Sequence, residues 1–382
     1  MPNLARVLRC AAIAASVGCC HAALAGDYGL SVLLDDLHSP RQLAFAPDGS
    51  LWITEAGVAA GAGPTTIVRG EPYVLTDTGS VTRYASGSAA RILTGLPSIY
   101  GTTSGDVVGP NGIAFGAGGS PAIAIGGGVS PLVRSTDLAP GGANLQQLRT
   151  PTGNVDLGAH EAANNPAGGP IDSDPWHVAA LPGGAFLVTD AGGNSLLRVD
   201  AGGSVSTVAT FASRALGGPF PTEPVPTGIA IGGDGAYYVG ELTGFPFVPG
   251  SARIYRIAPG EAPTVFATGF TMISDLAFGA DGSLYALEYD SNGLLAPGSE
   301  GALWRVAADG SRSLVYGGDG LVNPTGLAIG DAGFYVSDFG HSSADGQLVL
   351  IAAVPEPATW ALFAAGLASF GVLRRRRTNT NA

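Results

Sequence analysis

The stretch RQLAFAPDGSLWITEAG (41–57) holds a short apolar strand, a glycine-containing turn and a second apolar strand. Turns such as Asp48-Gly49 are typical of tight β-hairpins. The same pattern returns five times, at spacings between 47 and 70 residues. The five further copies are NGIAFGAGGSPAIAIGGG (111–128), WHVAALPGGAFLVTDAGG (176–193), TGIAIGGDGAYYVGELTG (227–244), SDLAFGADGSLYALEYD (274–290) and TGLAIGDAGFYVSDFG (325–340).

Each hairpin is followed by a third strand, such as SVTRYA or SLLRVD, and usually by a fourth, such as RILTGL or VSTVATF. Four antiparallel strands repeated in this way predict an all-β, six-bladed β-propeller over residues 26–353. The last repeat ends after its third strand at 346–351, whereas YGLSVLLDDL (28–37) is a spare strand at the start. We therefore expect the N-terminal strand to close the last blade and remove its free edge.

Targeting segments are predicted at both ends. Residues 1–25 have Arg6 and Arg9, then a small apolar stretch, then the cleavage sequence Ala23-Leu24-Ala25, which indicates a signal peptide read by the Sec machinery. All three cysteines fall inside it, so the mature chain has neither disulfides nor thiolate metal ligands. A buried N-terminal helix and a lipoprotein acylated at Cys19 or Cys20 are the alternatives.

Residues 354–382 combine Val354-Pro355-Glu356-Pro357, 16 mostly apolar residues and four arginines. This order closely resembles the PEP-CTERM sorting signal of Gram-negative bacteria. The resemblance implies that an exosortase processes the chain near the triplet. The protein would be transiently anchored in the membrane and then delivered to the cell surface or the exopolysaccharide matrix. A plain membrane anchor is the alternative.

Charge excludes one class of partner. The chain has no lysine, and after loss of both ends 12 arginines face 29 acidic residues, which leaves a net charge near −17. Nucleic-acid binding needs a positive surface and is therefore not expected. An acidic surface favours solubility and attracts cations.

The region 157–203 is similar to the ScyD/ScyE family of exported propellers. The similarity rests on Glu161-Ala162-Ala163-Asn164-Asn165-Pro166, on Ile171-Asp172-Ser173-Asp174-Pro175 and on Ala191-Gly192-Gly193-Asn194. It implies a six-bladed propeller with NHL-like and SMP-30-like repeats, and it implies no settled activity.

Five of the six second strands end on an acidic residue: Glu55, Asp190, Glu241, Glu288 and Asp338. Because hairpin strands begin and end together, these residues share a face with the residues that precede or open the first strands. We expect the two sets to converge on the mouth of the central channel. The most notable members of the second set are Arg41, Asn111, Trp176, His177 and Asp275.

Two interpretations of the acidic residues stay open. Each acid can cap its strand end through bonds to the backbone. Alternatively, some of them bind a hard cation, Ca²⁺, through Glu55, Asn111, Glu241 and Glu288. His177 beside Trp176 is either a structural histidine, a general base or part of a sugar-stacking pair.

The leading hypothesis is a non-catalytic surface or matrix protein whose propeller mouth binds an extracellular polysaccharide or an envelope protein. The alternative is a metal-dependent hydrolase of the SMP-30/gluconolactonase type. A quinone-linked sugar oxidoreductase is a third class, which no specific residue supports.

Overall fold

Apolar residues alternate along the short strands, and Gly-rich turns separate them, so the chain folds as a series of antiparallel hairpins. The computed structural model describes residues 28–116, 118–318, 320–341 and 344–354. The predicted signal peptide and almost all of the predicted sorting segment lie outside these ranges. Residues Tyr28–Ala353 form one compact unit.

Strands make up nearly all of the regular structure. The first eleven are β1 (Tyr28–Leu37), β2 (Pro40–Phe45), β3 (Leu51–Glu55), β4 (Thr65–Val68), β5 (Glu71–Ala85), β6 (Ser88–Gly101), β7 (Val107–Val108), β8 (Pro110–Phe115), β9 (Pro121–Ile125), β10 (Gln147–Thr150) and β11 (Gly153–Asp156). Helix α1 (Leu157–Asn164) follows. The remaining strands are β12 (Pro175–Ala180), β13 (Phe186–Asp190), β14 (Ser195–Val199), β15 (Val205–Thr210), β16 (Pro226–Ile231), β17 (Tyr237–Glu241), β18 (Ala252–Ile257), β19 (Thr264–Phe270), β20 (Ile273–Phe278), β21 (Leu284–Glu288), β22 (Ala302–Val306), β23 (Arg312–Gly317), β24 (Gly326–Gly330), β25 (Gly333–Asp338) and β26 (Gly346–Ala353).

The strands form six sheets, and the fold is a six-bladed β-propeller, as the repeats predicted. Blades two to five each contain four strands in chain order. Blade six has the order β1-β26-β25-β24, with Tyr28 opposite Ala353 and Leu37 opposite Gly346. The predicted closure by the N-terminal strand is therefore confirmed, and it joins the first described residues to the last blade.

Inserted segments enlarge blades one and two. In blade one, β4 pairs with an extended β5, and β6 pairs with β7, which gives a six-stranded sheet. Between β9 and β10 the chain forms two short 3-10 helices, Pro131–Ser135 and Gly141–Asn144. Helix α1 then connects blade two to blade three, and Asp156 caps it by accepting the N–H of Ala159 at 2.8 Å.

Apolar side chains fill the space between neighbouring blades. Between blades three and four, for example, Leu187 and Leu196 pack with Ile229 and Val239, and all four are at most 2% exposed. Burial of one such side chain stabilises the fold by about 2 kcal/mol. Since no cysteine lies within residues 28–354, this packing and the polar contacts described below hold the blades together.

Candidate functional site

The ends of the second strands lie beside the starts of the innermost strands. Pro40 is opposite Glu55, Pro175 is opposite Asp190, and Ile273 is opposite Glu288. The five predicted acidic residues therefore lie at one face of the propeller, although all of them are at most 1% exposed. They form a ring of buried carboxylates below the mouth, which we call the acidic ring.

Glu55 illustrates what a member of the acidic ring contacts. One carboxylate oxygen accepts hydrogen bonds from Ser80 Oγ at 3.0 Å and Thr82 Oγ1 at 2.6 Å. The other accepts the backbone N–H of His38 at 2.7 Å, just before the first strand of the blade. Arg91 completes the set with an ion pair at 3.0 Å. The carboxylate thus fixes the entering chain to two strands of its own blade.

Glu241 and Glu288 are bonded in similar ways. Glu241 accepts from Tyr255 Oη at 2.8 Å and pairs with Arg214 at 2.5 Å. Glu288 accepts the indole N–H of Trp304 at 2.7 Å and lies 3.8 Å from a guanidinium nitrogen of Arg312. Each buried glutamate of the ring therefore has an arginine to balance its charge, as burial of a carboxylate requires.

Asp338 has no such arginine among the described residues. One of its oxygens accepts the backbone N–H of Val322 at 2.8 Å, and the other is buried without a partner. Burial raises the pKa of Asp338 to about 7.

The structure does not bring the residues of the predicted calcium set together. Its members lie in four different blades: Glu55, Asn111, Glu241 and Glu288. Asn111 Nδ2 instead donates to Asp174 Oδ1 and to the carbonyl of Pro175, both at 3.1 Å. Across residues 28–354, apart from the few undescribed positions, no three His, Cys, Asp or Glu side chains are grouped closely enough to hold a metal ion.

Polar side chains fill the central channel in alternate blades. They are Gln42, His177 and Asp275, which are 8%, 6% and 1% exposed. Gln42 Oε1 accepts the N–H of Ile113 at 2.8 Å and that of Val178 at 3.2 Å. These bonds link the innermost strands of blades one, two and three, so Gln42 has a structural role that the sequence did not reveal.

His177 and Asp275 fill the other side of the channel. We call Gln42, His177 and Asp275 together the channel plug. His177 Nδ1 lies 2.8 Å from Asp275 Oδ1, and Asp275 Oδ2 accepts the N–H of Leu327 at 2.7 Å. In the intervening blades the matching residue is glycine, because the chain of the next blade leaves no room. A Cβ on Gly228, for instance, would lie 2.7 Å from the backbone of Asp275.

Above the plug, Arg41 lies in the mouth. Its guanidinium donates to the carbonyls of Gly340 in blade six and Val107 at the end of blade one. The ring of Trp176, which is partly exposed, lies 5.6 Å from the guanidinium carbon. Tyr289 is close enough to interact electrostatically, and burial lowers the pKa of Arg41 and raises that of Tyr289. The Nε of Arg41 is buried without a partner.

A second group of acidic residues lies around Asp190. This ring member accepts from Ser173 Oγ and from the N–H of Asp174, both at 2.7 Å, and from the N–H of Gly193 at 2.9 Å. No arginine is paired with it among the described residues. Instead, Glu161 of α1 lies nearby, since a Cβ on Gly193 would be 3.0 Å from Glu161 Oε2 and 3.2 Å from Asp190 Oδ2.

The carboxylates around Asp190 disfavour each other's ionisation. The pKa of Glu161 is raised to about 7 by burial and then by repulsion from Asp190 and Asp172. Burial followed by repulsion from Asp190 raises the pKa of Asp172 to about 6. The pKa of Asp174 is raised to about 7, mainly by burial. We call Glu161, Asp172, Asp174 and Asp190 the blade-three acidic cluster. In the sequence, Glu161, Asp172 and Asp174 belong to two of the segments that resemble the ScyD/ScyE family, and Asp190 directly precedes the third. Their order along the chain did not show that they lie together.

Three of the arginines that recur in the third strands form ion pairs within their own blade. Arg83 pairs with Asp48 at 2.9 Å, which lies in the first turn of the same blade. The equivalent pairs in blades four and five are Arg256–Asp234 and Arg305–Asp281. These pairs are exposed and contribute little to stability.

Comparisons with known proteins agree with the fold and with the sorting signal. Residues 353–377 match the family described as the PEP-CTERM protein-sorting motif. This match implies export, membrane anchoring through the C-terminus and processing by an exosortase. A comparison with curated proteins gave no match.

Two solved structures illustrate the similarity of fold. A gluconolactonase from Xanthomonas campestris is 14% identical, with a TM-score of 0.51 over 87% of this chain and 93% of that one. Virginiamycin B lyase from Staphylococcus aureus is 17% identical, with a TM-score of 0.45 over 85% of this chain and 100% of that one. At 14% identity the likeness to the gluconolactonase shows the fold alone. The chain is thus a six-bladed β-propeller that carries an exosortase sorting motif.

No helix within the described ranges has the length and apolar character needed to cross a membrane.

Proposed function

We propose that this protein is a non-catalytic, surface-sorted β-propeller whose mouth binds an extracellular polysaccharide. The observation that carries the proposal is the Arg41–Trp176 pair. A partly exposed indole offers a flat apolar face for a sugar ring. The adjacent guanidinium of Arg41 lies 5.6 Å from the centre of the indole ring and places a positive charge beside this face.

The charge of the mature region favours a neutral polymer over an acidic one. With a net charge near −17, the protein repels polyanions. Salt weakens this repulsion at long range but screens it only partly at short distance. We therefore propose a neutral, hydroxyl-rich polysaccharide of the cell surface or matrix as the ligand.

A glycan array that carries neutral and acidic oligosaccharides tests the proposal. We expect binding to a subset of neutral glycans, and Trp176→Ala should weaken this binding at least about tenfold because the stacking face is lost. The control is Phe220→Ala, which removes an aromatic ring that is 70% exposed and lies outside the Arg41–Trp176 pair. Equal binding by Trp176→Ala and the unmodified protein would contradict the proposal, as would no binding to any glycan.

The second candidate is a metal-dependent hydrolase of the gluconolactonase type. It is supported by the shared fold and by the His177–Asp275 pair. Against it, both residues are buried and bonded in the channel plug, so a substrate in the mouth does not reach them. Lactone hydrolysis that is abolished by EDTA and restored by a divalent metal would favour this candidate over the first.

We also propose that the chain is a member of the ScyD/ScyE family. This proposal is supported by the positions of the three segments that resemble the family. All three, 161–166, 171–175 and 191–194, lie around Asp190. Together with the predicted signal peptide, the sorting motif supports export by the Sec machinery before exosortase processing at the C-terminus.

A further inference from the structure

The pairing of β1 with β26 places both ends of the propeller at one face. β26 begins at Gly346 and ends at Ala353, which is opposite Tyr28. Gly346 lies against the ring of Pro40, and Pro40 is opposite the ring member Glu55, so this end of β26 is at the mouth. Ala353 and Tyr28 are therefore at the opposite face of the propeller, which we call the lower face.

The lower face is formed by hairpin turns. The turn between β24 and β25 lies there, because Gly330 is opposite Gly333 and the end of β26 runs beside it. The matching turns of three other blades carry the exposed ion pairs Arg83–Asp48, Arg256–Asp234 and Arg305–Asp281. Polar turns with paired charges suit contact with hydrated lipid headgroups and disfavour insertion into the apolar core of a bilayer.

Only a short tether joins the lower face to the apolar part of the sorting motif. The motif covers residues 353–377, and its apolar stretch begins at Ala358. An extended chain spans at most about 3.6 Å per residue, so the distance from Ala353 to Ala358 cannot exceed about 18 Å. The eight residues of β26, with a rise of about 3.4 Å each, separate the two faces by about 24 Å. Residues 354–357, which we call the tether, are therefore shorter than the propeller is deep.

The apolar side chains that a membrane would attract most strongly lie at the mouth. Phe220, Phe245 and Leu295 are 70%, 56% and 66% exposed. Their loops come before β16, after β17 and after β21, and the last two strands end in members of the acidic ring. The tether does not reach from the lower face to a membrane surface at the mouth. These side chains therefore lie on the far side of the propeller from the bilayer while the anchor is in place.

We propose that the short tether holds the lower face against the membrane while the sorting segment anchors the protein, so that the mouth opens away from the bilayer. The predicted signal peptide ends at Ala25, two residues before Tyr28, and would hold the same face before its removal. The two ends thus leave blade six at one point of the membrane, and the blade can close before either end is cut. This orientation does not depend on what the mouth binds.

Single cysteines measure the orientation, because residues 26–382 contain no cysteine. Ala332→Cys and Ala201→Cys place a donor dye in exposed turns at the lower face of blades six and three, which are on opposite sides of the disc. Ala296→Cys places it in an exposed loop at the mouth. The full-length chain is exported in a bacterial host that lacks an exosortase, so that the anchor is retained. The purified protein is then reconstituted into phosphatidylcholine vesicles that carry an acceptor dye on their headgroups.

Energy transfer to the lipid from both positions at the lower face should be at least about twofold stronger than from Ala296→Cys, because the two faces are about 24 Å apart. The unmodified protein sets the background of labelling. Strongest transfer from Ala296→Cys overturns the proposal and indicates that the mouth loops enter the membrane. Strong transfer from Ala332→Cys together with weak transfer from Ala201→Cys also overturns it, since this is the result for a propeller that lies on its side.

A longer tether is the matched control. Insertion of about 30 glycine and serine residues after Val354 gives a flexible linker with a mean span of about 30 Å, which exceeds the depth of the propeller. The difference in energy transfer between the lower face and the mouth should then be lost. If the difference persists in this variant, the length of the tether does not set the orientation and the proposal is overturned.

Discussion

Replacement of Asp338 by asparagine should make the protein less sensitive to rising pH. The carboxyl is 0% exposed, has one oxygen without a partner and has a pKa of about 7 instead of the ordinary 3.8. The native state therefore binds this proton more tightly than the unfolded chain does. The contribution of Asp338 to the free energy of unfolding is greatest below about pH 4. This contribution falls as the pH rises towards 7.

The size of the effect follows from the two pKa values. Each pKa unit corresponds to about 1.4 kcal/mol, so ionisation of Asp338 costs the native state on the order of 4 kcal/mol above pH 7. Asparagine keeps the oxygen that accepts the N–H of Val322 and carries no charge at any pH. The substitution changes the packing by the same amount at each pH. The change in the free energy of unfolding between two pH values therefore reports the effect of the charge alone.

Urea unfolding at pH 5 and at pH 8 measures the effect. The free energy of unfolding should fall by on the order of 3 kcal/mol less in Asp338→Asn than in the unmodified protein between these values. Other buried carboxylates titrate in the same range, but they contribute equally to both proteins. Asp309→Asn in an exposed turn is the control. If Asp338→Asn loses as much stability as the unmodified protein, the assignment of a raised pKa is refuted.

Three further predictions concern stability. Arg91→Ala should lower the free energy of unfolding by about 3 to 5 kcal/mol, because it leaves the buried carboxylate of Glu55 without its cation, and a double-mutant cycle with Glu55→Gln should recover part of the loss. Gly228→Ala should cost about 1 to 3 kcal/mol in chemical denaturation, since the added methyl group meets the backbone of blade five, whereas Gly233→Ala has no atom within 4 Å and should be close to neutral. Deletion of 28–37 should expose the edge of β26 and produce concentration-dependent aggregation in light scattering, and a monomer of unchanged stability would contradict the closure of blade six.

The channel plug explains why candidate residues of similar type have different roles. Arg41 and Trp176 lie at the mouth, whereas His177, next in sequence, points into the channel and contacts Asp275. Adjacent residues of a strand face opposite sides, so one position in the chain separates a ligand-accessible side chain from a buried one. Sequence reasoning placed all of these residues near the mouth but could not assign their directions.

The acidic ring shows which features the repeats encode and which they do not. The repeats aligned five acidic residues at one face because each ends an equivalent strand, and the structure has them there. Their partners come from segments with no repeated pattern, such as Arg214 before blade four and Glu161 in α1. A single repeat contains no information about these partners, so the charge balance of each blade could not be predicted.

The sequence alone determined the number of blades, the four-stranded repeat and the closure by the first strand, because these follow from the local alternation of apolar residues and from the count of strands. It also identified the sorting motif, since that signal is a linear order of residues. Only the tertiary structure decided which polar groups lie together, namely His177 with Asp275 in the channel and Glu161 with Asp190 beside Gly193. These contacts depend on the direction of each side chain and on the packing of segments that are far apart in the chain. The periodicity of the sequence does not encode either of them.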